Sequence, residues 1–158
     1  FTFALEAIGV ATGRIFGTYE YGPTLGLAWR GVPLIIAFNW AMVVNGATRL
    51  AARLVPPAAG GWRRPAIAGL AGGIALAFDF VLEPVAIRLD YWRWPGDVVP
   101  LQNYAAWFAI AAAAAAAHPG GSGRCRELGS HGRLAVFFVL AQAAFFLALS
   151  MVWRFGAG

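Results

Sequence analysis

Three carboxylic acids sit where the chain can least afford them. Glu6 lies in the apolar stretch at the start of the sequence, and Asp79 and Glu83 lie in the run FDFVLEP. A charged group inside an apolar span costs several kcal/mol, so such residues are functional candidates by default. Asp79 and Glu83 are spaced i, i+4, which on a helix puts them on one face, about 6 Å apart at Cβ. Two like charges that close and poorly solvated do not both ionise easily, so at least one is expected to stay protonated near neutral pH. A neutral carboxylic acid in an apolar setting is a proton donor. Pro84 removes the hydrogen bond to the Phe80 carbonyl and is expected to kink the helix one turn after Asp79. A purely structural alternative pairs Glu83 with Arg88 and Asp79 with another helix.

Polar neighbours are consistent with one site. Asn39 stands beside Trp40, and Asn103 and Tyr104 open a further apolar segment that contains Trp107. Asn45 and Gln142 fall elsewhere in their segments and are assigned to interhelical hydrogen bonding. Gly69, Gly72 and Gly73 read as small residues for helix packing. His118 and His131 have no ligand-spaced partners, and the single cysteine, Cys125, permits no internal disulfide and no cysteine-based metal site.

The elements that must position these groups are apolar helices. The 158 residues are 60% hydrophobic and 12% charged, against about a quarter charged in an average soluble domain. That balance excludes a disordered tail, a solvated β-sandwich and an ordinary cytosolic enzyme. Segments 32–54, 66–87, 101–117 and 134–155 are apolar, and 1–12 reads as the end of a further helix whose beginning is missing. A bilayer core of about 30 Å needs about 20 residues at 1.5 Å each, so these read as membrane spans. Period-two alternation is absent, which argues against a transmembrane barrel. The expected fold is all-α: one polytopic transmembrane bundle of about five helices, a single integral-membrane domain over residues 1–158.

Charge gives an orientation. Net charge is +5, and every basic residue is Arg. Arg49, Arg53, Arg63, Arg64, Arg124, Arg126 and Arg133 flank one set of loops; Arg14, Arg30, Arg88, Arg93 and Arg154 flank the other, together with Glu20, Asp90 and Asp97. The first side is expected to be cytoplasmic. No basic run tracks a phosphate backbone, so nucleic acid is not an expected partner. The connections 13–31 and 88–100, on the opposite side, hold three of the seven tryptophans and three of the four tyrosines. An interfacial aromatic belt explains such rings, and so does a structured cap over a site.

Taken in order, GRIFGTYEY (13–21), GVP (31–33), NW (39–40), DFVLEP (79–84), YWRW (91–94) and PLQNYAAWF (100–108) resemble the carotenoid biosynthesis protein family. This family includes membrane hydratases of the bisanhydrobacterioruberin hydratase and γ-carotene 1′-hydratase type. The resemblance covers about residues 6–108 and leaves the last helix generic. It departs at Glu83-Pro84, where Asp-Pro is expected, and at Val99, where Gly is expected; the first change keeps a carboxyl. It also implies further helices ahead of residue 1 in the parent protein.

The resemblance implies a multi-pass protein of the cell membrane, with the lipid bilayer and a hydrophobic carotenoid as partners and other membrane enzymes of the pathway as neighbours. The implied reaction adds water across the terminal double bond of an acyclic end group, giving a tertiary alcohol without a cofactor or metal. Asp79 is then the acid, Glu83 its tuner or the residue that orients water, and Glu6 and Asp90 the second-rank candidates. Tyr19, Tyr21, Trp92, Trp94 and Trp107 would line the end-group pocket with Trp40 and Tyr104, while Asn39 and Asn103 hold the water. Three other readings stay open: a lycopene-type cyclase, a prenyltransferase using the acid pair for Mg²⁺ and diphosphate, and a non-enzymatic carotenoid-binding scaffold.

Overall fold

A computed structural model describes residues 2–117 and 130–156. The Arg-rich linker with His118, Arg124, Cys125 and Arg126 therefore lies outside the described residues, as does the side chain of His131. Five helices carry the fold: α1 (Thr2–Thr12), α2 (Leu34–Leu54), α3 (Arg63–Arg88), α4 (Leu101–Ala117) and α5 (Ser130–Phe155). Proline sets several of their boundaries. Pro33, in extended geometry, caps the start of α2; Pro56 and Pro57 follow its end; Pro100 precedes α4. Pro84 does not end α3, which runs through it to Arg88.

Among the described residues, three helical stretches are long and apolar enough to cross a membrane: Leu34–Leu54, Pro57–Arg88 and Gly132–Phe155. This is fewer than the four spans expected from the apolar runs, because α4 has only 17 residues, about 26 Å at 1.5 Å each. Phe38, Phe80, Phe137, Phe145, Leu140 and Met151 point outward from these stretches. Apolar side chains facing out of long apolar helices suit lipid rather than water.

The helices close on each other differently at the two ends. At one end Ala47, Ala51, Val55, Ile67, Ala71 and Ala115 form a compact cluster of mostly small side chains. A Cβ on Gly72 would stand 2.8 Å from the Phe108 carbonyl oxygen, so α3 and α4 approach closely there. Gly69 and Gly73 meet nothing, and the packing role expected of all three belongs to Gly72. Gly46 does the same on α2 against the Ala135 carbonyl of α5. At the other end the core is aromatic, with Phe16, Tyr19, Trp40, Phe78, Trp92, Trp94, Trp107 and Phe146 buried together.

Two short ribbons cover the aromatic end. Strand β1 (Glu20–Tyr21) pairs antiparallel with β4 (Trp92–Arg93), in the register Glu20 to Arg93 and Tyr21 to Trp92. Strand β2 (Ala28–Trp29) pairs with β3 (Val32–Pro33) through a turn in which Arg30 and Gly31 both have positive φ, 50° and 77°. Both central residues of a type I′ hairpin turn need that sign, which favours Gly31 in second place. In the first ribbon alternate residues point inward: Tyr19 and Tyr21 from one strand, Trp92 and Trp94 from the other, while Glu20 and Arg93 face out.

Candidate active site

Under this cover the three acids come together among the aromatic rings. Asp79, Glu83 and Glu6 are 0%, 2% and 4% exposed, so none is solvated by bulk water. Each must then find partners in the protein, and what each finds is different.

Glu6, projecting from α1, accepts three hydrogen bonds. The Tyr19 hydroxyl donates at 2.6 Å and the Tyr21 hydroxyl at 2.8 Å to Oε2, and the Trp40 indole N–H donates to Oε1. Burial, and after it the charge of Glu6, pushes the Tyr19 hydroxyl well above the ordinary tyrosine range; the same causes raise Tyr21. Both phenols therefore remain donors. Glu83 also accepts three: the Trp92 and Trp94 indole N–H groups both reach Oε2 at 3.0 Å, and the Asn103 amide reaches Oε1 at 3.0 Å. The same amide nitrogen donates to Asp79 Oδ2 at 2.7 Å. Asp79 has no other bond, and its Oδ1 is buried without a hydrogen-bond partner among the described residues.

Around Glu6 and Glu83 lies a cavity of about 30 Å³, bounded also by Phe16, Ile36, Asn39, Leu82, Asn103 and the rings of Tyr19, Tyr21, Trp40, Trp92, Trp94 and Trp107. A site needs about 10–15 Å³ to hold a water, so one or two fit. Trp40 and Trp107 stack at 3.9 Å between ring centres, and Tyr19 stands 5.0 Å from Trp94. Asp79 is not in this wall; Asn103 links it to Glu83 from behind.

Next to the cavity, and sharing Ile36, Asn39, Leu82 and Trp92 with it, a larger groove of about 340 Å³ runs between α2, α3 and α5. Its other walls are Leu25, Ile35, Phe38, Tyr91, Phe138, Gln142, Phe145 and Phe146.

Most of the residues singled out in the sequence converge here, and two do not. Asp90 lies in the loop after α3, where its carboxylate holds the exposed Arg93 guanidinium at 2.7 and 2.8 Å, away from the cavity. Tyr104 packs against Phe80 at 6.0 Å on the outer side of α4 and does not line the cavity. The alternative that pairs Glu83 with Arg88 is also not realised: the Arg88 guanidinium lies over the Trp153 ring at 4.4 Å. Gln142 Oε1 is buried without a partner among the described residues, and Asn45 accepts from Arg49 one turn along its own helix. Phe16, Ile36, Leu82 and the groove face of α5 went unnoticed in the sequence. A lone amide in the otherwise apolar stretch 134–149 of α5 is the available signal for that face.

Long apolar helices, an aromatic cover, two buried acids lining a small cavity and a third behind them define a membrane-embedded helical protein with a built polar site. The chain belongs to the carotenoid biosynthesis protein family, whose model matches residues 1–157. It is similar to bisanhydrobacterioruberin hydratase of Haloarcula japonica, with 30% identity over 111 residues, which is 68% of this chain and 37% of that relative. The chain thus spans little more than a third of the relative's length. No solved structure matches.

Proposed function

We propose that this protein adds water to the terminal double bond of an acyclic carotenoid end group, with Asp79 as the proton source. The observation that carries the reading is the unequal bonding of the three acids. Glu6 and Glu83 each accept three hydrogen bonds, so a proton on either would compete with donors already in place. Asp79 accepts one and leaves Oδ1 without a partner, so a proton on that oxygen displaces no donor. Three charges so close and so dry would repel, and placing the proton on Asp79 relieves the cluster at the least cost in hydrogen bonds.

The chemistry then balances within the site. The Asp79 O–H bond breaks as its proton forms a C–H bond at the less substituted alkene carbon, leaving a tertiary carbocation. The carboxylates of Glu6 and Glu83 and the surrounding ring faces stabilise that charge. A water in the small cavity forms the new C–O bond, and the proton it loses returns to the acid cluster, which ends unchanged. Leu82 lines both groove and cavity and stands three residues from Asp79 on α3, so an end group lodged against it packs on the same side of that helix as the acid. Room for water beside the reacting carbon favours capture over ring closure, which requires water to be kept out. The indole N–H groups aimed at Glu83 disfavour a cation there, as a prenyl diphosphate site would need.

The test is expression in cells that accumulate an acyclic carotenoid, with pigments resolved by chromatography and mass. The expected result is a product heavier by one water, lost in Asp79→Asn while the protein remains in the membrane. A cyclic product of unchanged mass, or hydration that survives Asp79→Asn, overturns the reading.

A further inference from the structure

The groove between α2, α3 and α5 is lined by apolar and aromatic side chains and by two amides. Asn39 projects from α2 and Gln142 from α5, and Asn39 Oδ1 and Gln142 Oε1 are both buried with no hydrogen-bond partner among the described residues. A buried acceptor left without a donor pays the full cost of its desolvation. Packing alone is served better by leucine at either position, since both helices are otherwise apolar here. Two such amides lining one groove are therefore a recognition element with its partner missing from the protein.

The partner's chemistry follows from the walls. Phe145, Ile36, Leu82 and Trp92 call for a hydrocarbon, and a volume of about 340 Å³ lies within the range of about 300–1,000 Å³ typical of ligand clefts. The amides call for a hydrogen-bond donor on that hydrocarbon. Neither a charged headgroup nor a sugar suits the groove, because the described residues of its lining include no ionisable side chain except Tyr91. Asn39 also lines the water-sized cavity, so it stands where the two spaces meet.

We infer that the groove binds an isoprenoid chain bearing a hydroxyl near its branched end, with Asn39 and Gln142 accepting or sharing the hydroxyl hydrogen bond. The proposal rests on the hydration reading and deepens it: the alcohol end group, not the alkene, is the tighter ligand of this groove. Hydrogen bonds of this kind contribute about 0.5–1.5 kcal/mol each, so the alcohol should bind between about 2-fold and 10-fold more tightly than its hydrocarbon counterpart. The product then leaves slowly and competes with fresh substrate.

A binding assay that needs no turnover separates this proposal from the reaction itself. Purified chain in nanodiscs is titrated with tetrahydromyrcenol, a saturated tertiary terpene alcohol, and with the saturated hydrocarbon of the same skeleton, following the shift in tryptophan emission from the groove, where Trp92 stands. The expected result is preference for the alcohol by the native chain and equal binding of both ligands by Gln142→Leu. Asn39→Leu should behave in the same way. Equal binding of alcohol and hydrocarbon by the native chain overturns the proposal without needing any variant, and so does a preference that survives both substitutions. If hydration occurs in cells but no alcohol preference is seen, the groove assignment falls and the reaction stands. If the preference is seen but no hydration, the reverse holds.

Discussion

The two ends of this bundle are built from the same helices on opposite principles. At the closed end Ala71, Gly72 and Ala115 let α3 and α4 approach until a single Cβ would collide with the opposing backbone. At the covered end the same two helices carry Asp79, Glu83, Asn103 and Trp107, and the space between them holds polar groups and room for water. Close packing at one end supplies the rigidity that lets the other end keep buried acids in fixed positions. Stability and chemistry are thus assigned to different turns of the same helix, and substitutions should sort accordingly.

The largest separation is expected from Asp79→Asn, which keeps the bond from Asn103 but removes the acid. Hydration should fall at least about a hundredfold, the usual scale for a lost general acid, with little change in membrane-resident protein measured by immunoblot. Trp94→Phe keeps most of the packing and deletes one of the two indole donors to Glu83. A hydrogen bond to a charged group is worth about 1.5–3 kcal/mol, so turnover should drop roughly tenfold or more; an unchanged rate would place Glu83 outside the reaction. At the closed end Gly72→Leu should cost about 1–3 kcal/mol through overpacking, seen as a lower unfolding temperature, yet leave the product per folded molecule intact. A changed product would show that the division between the ends is wrong.

Alkaline titration sharpens the same contrast. Tyr19 and Tyr21 are held neutral in the folded chain, while in the unfolded chain they lose protons from about pH 10. The unfolded state then binds fewer protons, so their contribution to stability is intact below about pH 10 and is lost as pH rises beyond it, by up to about 1.4 kcal/mol per unit and hydroxyl. Thermal melts across that range should show the decline, and Tyr19→Phe should reduce its slope. The smallest effect belongs to Asp90→Asn. It breaks an exposed ion pair with Arg93, worth about 0–1 kcal/mol, at a positive φ that Asn tolerates, and hydration should not change measurably.

The helices were legible because apolar runs and prolines mark them. Segment 101–117 matches α4 to the residue, and 32–54 differs from α2 only by two residues that pair as β3 instead. The acids were legible for an energetic reason, since Glu6, Asp79 and Glu83 each stand in a stretch that has no other use for a charge. Which donors serve which acid was not legible. That Asn103 bridges Asp79 and Glu83 depends on the rotation of α4 about its own axis, and small residues such as the Ala111–Ala117 run fix no rotation by themselves. What Gln142 serves was not legible either, because an amide in a span has two equally good uses, a neighbouring helix or a ligand, and the sequence does not place α5 beside the groove.

The ribbon formed by β1 and β4 has a consequence for how this chain can change. Tyr19 and Tyr21 serve Glu6, Trp92 and Trp94 serve Glu83, and Tyr21 and Trp92 face each other across the pairing. A slip of one residue on either strand would turn that strand's inward side chains out. Inserting or deleting a residue beside β1 therefore turns the phenols away from Glu6, and the same edit beside β4 turns the indoles away from Glu83. Unlike ordinary membrane-protein loops, these two are each constrained to keep their length.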